Sequence, residues 1–193
     1  AERALALSAQ QVVSNSHEPK EIRDELVDNR ENLAAVFSAG YDDLLDSQRA
    51  AVDAALDAVE NDYGRCIFMD APGGTGKTFS SNTLLAGVCS SGSIALAVAS
   101  SGIAAILLEL GRTFHSRCKA SRQPAPDQVL NIDAQTPTAE LFRRAKLLLW
   151  DEGAMGNRYH LEALDATLRD LMGNDEPFGG KVIVICGGVC SPD

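Results

Sequence analysis

Four short apolar runs punctuate the chain: Cys66–Met69, Ile94–Ala99, Lys146–Trp150 and Val182–Cys186. Each has the length of a strand buried on both faces. Between them apolar residues fall at helical spacing. Phe79–Cys89, Gly102–Leu110 (closed by Gly111), Thr138–Ala145 and Tyr159–Met172 are predicted helices. In the last, Leu161, Leu164, Leu168 and Leu171 share one face. Upstream, Ile22, Leu26, Leu33, Val36 and Phe37 give a partial helical stripe. It runs from Pro19, as first helical residue, to about Ser38, and Gly40 ends it. A second helix is expected from an Asp46 N-cap, with Val52, Leu56 and Val59 inward, ending before Gly64. Residues 119–137, with three prolines, read as a long surface loop, and residues 1–17, small and polar, as poorly ordered. Strands alternating with helices imply an α/β fold, a parallel sheet with helices on both faces. In such sheets ligands bind beyond the C-terminal strand ends.

Chemistry collects at those ends. Ala71-Pro-Gly-Gly-Thr-Gly-Lys-Thr78 follows the first strand and opens a helix. Gly73, Gly74 and Gly76 let the backbone curl so that its N–H groups face an anion, and the helix start adds its positive end. Lys77 suits the outer phosphates of a nucleoside triphosphate, and the Thr78 hydroxyl suits magnesium. Ala71 stands where the strict phosphate-loop pattern has glycine. After the third strand comes Asp151-Glu152. In phosphate-loop enzymes the first carboxylate of such a pair holds magnesium, and the second orients and deprotonates the attacking water. Glu at 152 therefore favours hydrolysis over nucleotide storage.

Composition narrows the picture. With 193 residues and 45% hydrophobic content, one α/β core is expected. No apolar run approaches the ~20 residues that span a bilayer, so no membrane partner is expected, and no secretory signal is evident. The five cysteines, Cys66, Cys89, Cys118, Cys186 and Cys190, lack zinc-site spacing and read as reduced thiols of an intracellular protein, Cys66 and Cys186 in core strands. The net charge of -10 is uneven: residues 1–62 carry 14 acidic and 5 basic side chains, and the rest 13 and 12. That balance argues against a non-specific nucleic-acid binder. A local basic run without an acid, Arg112, His115, Arg117, Lys119 and Arg122, nevertheless suits phosphate contacts, or is simply an exposed loop. The acidic N-terminal stretch reads as a solvated helical extension.

The stretch between the two motifs is more specific. Ala99-Ser-Ser-Gly-Ile-Ala-Ala105 and Gly111-Arg-Thr-Phe-His-Ser116 follow the Pro-Gly-Gly-Thr-Gly-Lys-Thr loop; Leu45-Asp-Ser-Gln-Arg49 precedes it, and Asp151 to Met155 and Phe178-Gly-Gly-Lys181 come later. In these segments and their order, from roughly Leu45 to Gly188, the chain resembles the Pif-family DNA helicases of superfamily one, including related helicases of eukaryotic transposons. The resemblance implies a RecA-like P-loop NTPase fold for residues 45–193, with 1–44 as an acidic helical extension. It implies Mg2+ and ATP, with ATP bound by Gln48 (on the adenine), Pro72, Gly73, Gly74, Thr75, Gly76, Lys77 and Thr78. Thr78 and Asp151 would serve the metal, and Lys77 and Glu152 the catalysis. Single-stranded DNA would lie along Ser100, Ser101, Gly102, Thr113, His115 and Ser116, although His115 is equally read as a structural, hydrogen-bonded histidine. Family members couple ATP hydrolysis to 5′-to-3′ movement, in repair, recombination and telomere upkeep; the nucleus is the implied compartment, and the mitochondrion the second. Two departures stand out: Gly188-Val-Cys-Ser-Pro192 replaces the family's Gly-Asp-Phe-Arg-Gln sensor, and Glu109-Leu110 stands where Pro-Gly is common. The second RecA-like domain of such motors is expected to be absent from this chain, which alone should bind ATP with little or no unwinding. The rival expectations are a degenerate nucleotide-binding module and another phosphate-loop ATPase, such as a ring former.

Overall fold

All four apolar runs form strands. A computed structural model describes residues 18–25, 30–153 and 157–187. Its sheet holds β1 (Arg65–Asp70), β2 (Ile94–Ala99), β3 (Arg112–Thr113), β4 (Ala145–Asp151) and β5 (Val182–Gly187), in the order β1-β5-β4-β2-β3. Every pairing is parallel. The registers Met69↔Cys186, Ala99↔Asp151 and Ala99↔Thr113 bring the C-terminal strand ends onto one edge.

The helices are α1 (Lys20–Arg23), α2 (Arg30–Asp42), α3 (Asp46–Glu60), α4 (Lys77–Ser90), α5 (Gly102–Leu107), α6 (Phe114–Cys118), α7 (Pro137–Arg144) and α8 (Arg158–Met172). They cover both faces, because successive strand residues point to opposite sides. Leu147 and Leu149 of β4 meet Val52, Leu84 and Ala104 of α3, α4 and α5 on one face. Leu148 and Trp150 meet Phe114, Phe142 and Leu164 of α6, α7 and α8 on the other. Each of the buried Val, Leu and Phe side chains contributes about 1.5–3 kcal/mol of hydrophobic stabilisation. No helix among the described residues is long and apolar enough to cross a membrane.

Several sequence expectations need correction. The run Cys66–Met69 is a strand, but not a buried one. β1 ends the sheet order among the described residues, so Cys66 is exposed and Phe68 is 56% exposed, while Met69 faces the core. The helix expected from Pro19 to Ser38 is two helices; Pro19 is the N-cap of α1 rather than its first residue, and Leu26 lies outside the described residues. Nor is this region merely solvated. Ile22 is 1% exposed within the core on the Trp150 face. Phe37 of α2 packs so closely on α4 that a Cβ at Gly87 would lie 2.9 Å from its ring. Asp46 is the first residue of α3 and Leu45 its cap, since the Gln48 side chain accepts the Leu45 N–H at 2.9 Å. The loop from 119 to 136 is anchored through Leu130, whose N–H donates to Thr167 Oγ1 at 2.9 Å. The expected disorder of 1–17, Met155, Cys190 and the altered 188–192 segment lie outside the described residues.

Candidate active site

The phosphate loop leaves β1 at Asp70 and enters α4 at Lys77. Gly74 (φ 76°) and Gly76 (φ 86°) occupy the left-handed region that favours glycine, which turns the loop back over the helix start. Thr75 Oγ1 donates to Pro72 O at 2.7 Å and closes the loop on itself. Lys77 Nζ donates to Ala71 O and, at 2.9 Å, to Pro72 O, so the ammonium is held inside the loop it would share with a phosphate. Gln48 Nε2 donates to Thr75 O at 2.8 Å. Both ends of that amide are thereby committed, one to the start of α3 and one to the loop. A cavity of about 380 Å³ opens here, lined by Leu45, Gln48, Phe68, Pro72, Thr75 and Lys77 among others. A smaller one of about 260 Å³ lies at the opposite end of the sheet, against Asp62, Lys146 and Lys181, away from the phosphate loop.

Asp151 ends β4 at 6% exposure. Burial pushes its carboxyl up from the ordinary value, and the Glu152 charge adds to this; the Glu152 N–H, donating at 2.9 Å, and the Lys77 charge pull it back. A dication beside this carboxylate would relieve the cost of its burial. Among the described residues no group of three or more His, Cys, Asp or Glu is placed to cage a metal alone. One carboxylate and a hydroxyl, here Asp151 and Thr78, fit magnesium, which keeps waters and takes its remaining ligands from phosphates.

Glu152 has φ 55°, an uncommon value for a side-chain-bearing residue. It is held from the neighbouring turn: Ser101 Oγ donates to Glu152 Oε2 at 3.0 Å and Ser100 Oγ to Glu152 O at 2.9 Å. Trp150 Nε1 in turn donates to Ser100 Oγ at 3.1 Å. Ser101 also caps α5, accepting the Ala104 N–H, and Gly102 is the first residue of that helix. Thr113 caps α6 in the same way, accepting the Ser116 N–H. These two capped turns stand side by side because β2 pairs with β3.

The basic run is corrected by the fold. It has no acid in sequence, but Glu25 meets it in space: Arg117 Nη2 lies 2.5 Å from Glu25 Oε1, at 5% and 3% exposure for the two residues. Arg112 lies 3.8 Å from Asp24. Arg117 is therefore a buried structural partner and not a free phosphate contact. His115 faces His160 of α8, ring centroids 5.0 Å apart and perpendicular. Burial lowers its pKa, and the charges of His160 and Arg122 lower it further. His160, which sequence reasoning missed, is buried with Nε2 3.0 Å from Ser121 O. Its signal was a polar residue four positions before Leu164 on the apolar face of α8. Phe114 stacks on Trp150 with centroids 4.0 Å apart and so joins α6 to the strand that carries Asp151.

Loop, carboxylates and capped turns thus share one edge of the sheet, as the strand ends dictate. A family model described as PIF1-like helicase matches residues 43–190. Among curated proteins, the chain is 29% identical over 135 residues to the ATP-dependent DNA helicase PIF1 of Danio rerio, covering 69% of this chain and 20% of that protein. It is 31% identical over 126 residues to the ATP-dependent DNA helicase RRM3 of Saccharomyces cerevisiae, covering 63% and 17%. Among solved structures it resembles Bacteroides Pif1 bound to ssDNA, with TM-score 0.62 and 28% identity over 76% of this chain and 33% of that one. Bacteroides Pif1 in complex with ADP-AlF3 and ssDNA gives TM-score 0.60 and 29% identity over 72% and 31%. The chain spans about a fifth of the length of the curated relatives it matches.

Proposed function

The chain belongs to the PIF1-like helicase family, and we propose that it is the RecA-like motor domain that binds and hydrolyses Mg-ATP in an ATP-dependent DNA helicase. The observation that carries this is the convergence of Lys77, buried Asp151 and Glu152 on one sheet edge, with Ser101 of the neighbouring turn bonded to Glu152. On binding, the outer phosphates displace the Ala71 and Pro72 carbonyls from Lys77, and the loop N–H groups and the start of α4 receive the phosphate charge. Gln48, which lines the 380 Å³ cavity and ties the loop to α3, is assigned to the adenine, for which its amide would exchange one of these bonds. Magnesium, when bound, neutralises charge on the phosphates, and Thr78 and Asp151 would hold it. Glu152 accepts the proton of the attacking water as its oxygen bonds to the γ-phosphorus and the bond to the ADP oxygen breaks.

Ser100, Ser101, Gly102, Thr113, His115 and Ser116 are assigned to single-stranded DNA. The two helix-capping turns present backbone and hydroxyl donors on the edge where hydrolysis would occur, which supports coupling of the two. A second RecA-like domain, as the family resemblance implies, would complete the ATP site, so the chain alone is expected to hydrolyse slowly and not to unwind. We place its work on chromosomal DNA, in the nucleus for a eukaryotic member, with repair, recombination and telomere upkeep as the family's settings.

The test is hydrolysis by the purified chain, with and without oligo(dT). Glu152→Gln is expected to keep nucleotide binding and to lose at least ~100-fold in rate, the typical worth of a general base. A Glu152→Gln chain that turns over like the wild type, or strand separation by the chain alone, contradicts this reading.

A further inference from the structure

The residue assigned as general base is already engaged by another part of the molecule. Ser101 Oγ accepts the Ala104 N–H at 3.1 Å and directs its proton to Glu152 Oε2 at 3.0 Å. Ser100 fixes the backbone of the same residue, its hydroxyl donating to Glu152 O and its N–H to Asp151 O at 3.2 Å. Glu152 holds a left-handed backbone conformation, and such a conformation persists only where its surroundings impose it. Here the surroundings are the β2–α5 turn, about fifty residues earlier in the chain. The carboxylate is thus tied to that turn rather than to the phosphate loop, where Lys77 is likewise turned onto its own carbonyls.

A serine hydroxyl has one proton. It cannot donate at once to Glu152 and to a phosphate oxygen of a bound strand. We propose that Ser101 is a positioning residue that holds Glu152 in a resting position, and that a phosphodiester of single-stranded DNA takes over the serine's proton and frees the carboxylate for water at the γ-phosphate. This rests on the reading of the site given above. Strand binding then gates hydrolysis through one exchanged hydrogen bond, without any movement of the sheet. The Trp150–Ser100 bond keeps the rest of the turn in place while the exchange occurs.

The experiment compares the wild type, Ser101→Ala and Ser101→Thr in steady-state ATP hydrolysis with and without oligo(dT). It also follows the 13C signal of the Glu152 side-chain carboxyl, assigned by its loss in Glu152→Gln. Ser101→Ala is expected to raise the DNA-free rate about threefold or more and to bring the stimulation ratio close to one, with nucleotide affinity unchanged. Ser101→Thr, which restores the hydroxyl, is expected to restore the stimulation. In the wild type oligo(dT) should move the Glu152 carboxyl signal; in Ser101→Ala the signal should start near that DNA-bound position. A carboxyl signal that oligo(dT) leaves in place, or a stimulation ratio in Ser101→Ala equal to the wild type's, overturns the proposal. Failure of the wild-type chain to bind Mg-ATP would instead strike the reading of the site itself.

Discussion

Lys181 stands at the start of β5 with its amine half-buried, Nζ donating to Arg143 O at 2.6 Å. Burial, and then the charge of Lys146, lower its pKa from 10.5 to about 8, and Asp62 offsets part of this. The unfolded chain therefore binds more protons than the folded one between about pH 8 and the ordinary amine value. The contribution of this group to stability is present above that window and is lost as pH falls through about 8. The melting temperature of the wild type, relative to Lys181→Met, should rise as pH is taken from 8 to 10; parallel curves for the two proteins would contradict the assignment. Residue roles of this kind were only partly legible in sequence. Lys77, Asp151 and Glu152 announce themselves because their neighbours are fixed by the motif. In sequence Lys181 is only the end of Phe178-Gly-Gly-Lys181, since what lowers its pKa is burial against residues distant in sequence. The same holds for Arg117, which looks like a phosphate contact until Glu25 is placed beside it.

Among the elements, α1 shows how a four-residue helix can be fixed from outside. It is far too short to be stable alone. Ile22 sits in the core, and Glu25, just past its end, forms the buried pair with Arg117. That pair is imperfect: Glu25 Oε2 and Arg117 Nε are both buried without a hydrogen-bond partner among the described residues. Burial raises the Glu25 pKa and lowers that of Arg117, although each charge offsets part of the other's shift. Removing one partner leaves the other charge stranded, so Arg117→Ala should cost about 3–5 kcal/mol in denaturant unfolding. Ile22→Ala should cost about 2–5 kcal/mol through the cavity it leaves. If both changes fall within ~0.5 kcal/mol of the wild type, as surface substitutions do, α1 is not docked as described. The acidic stretch read as solvated because acidic side chains dominate its charge; one isoleucine and one ion pair reversed that outcome. The strand runs and the helices α3, α7 and α8 were legible because their apolar positions repeat along one face, and α4 because it follows the phosphate loop, whereas β3 and α6, at two and five residues, are too short to show any pattern.

At the scale of the whole molecule, the parallel sheet carries the functional argument. Strand order determines which turns become neighbours, and the order β1-β5-β4-β2-β3 sets the Ser100–Gly102 turn beside Asp151-Glu152 on one side and Thr113 on the other. Alternation of apolar runs and helices made the α/β class readable, and the succession of motifs made the family readable. Strand order was not readable, which is why β1, an apolar run like the others, was expected inside and is found at the end of the sheet with Phe68 exposed. The same order lets Phe68 line the cavity beside the phosphate loop, since no further described strand covers β1.

The central claim is that this edge is a nucleotide site. Its most direct test is calorimetric titration of the chain with a non-hydrolysable ATP analogue, with and without magnesium, in the wild type and Lys77→Ala. Saturable one-to-one binding is expected, strengthened by magnesium and weakened in Lys77→Ala by at least about tenfold, 1.4 kcal/mol. Equal binding by wild type and Lys77→Ala, or no binding by either, would contradict it.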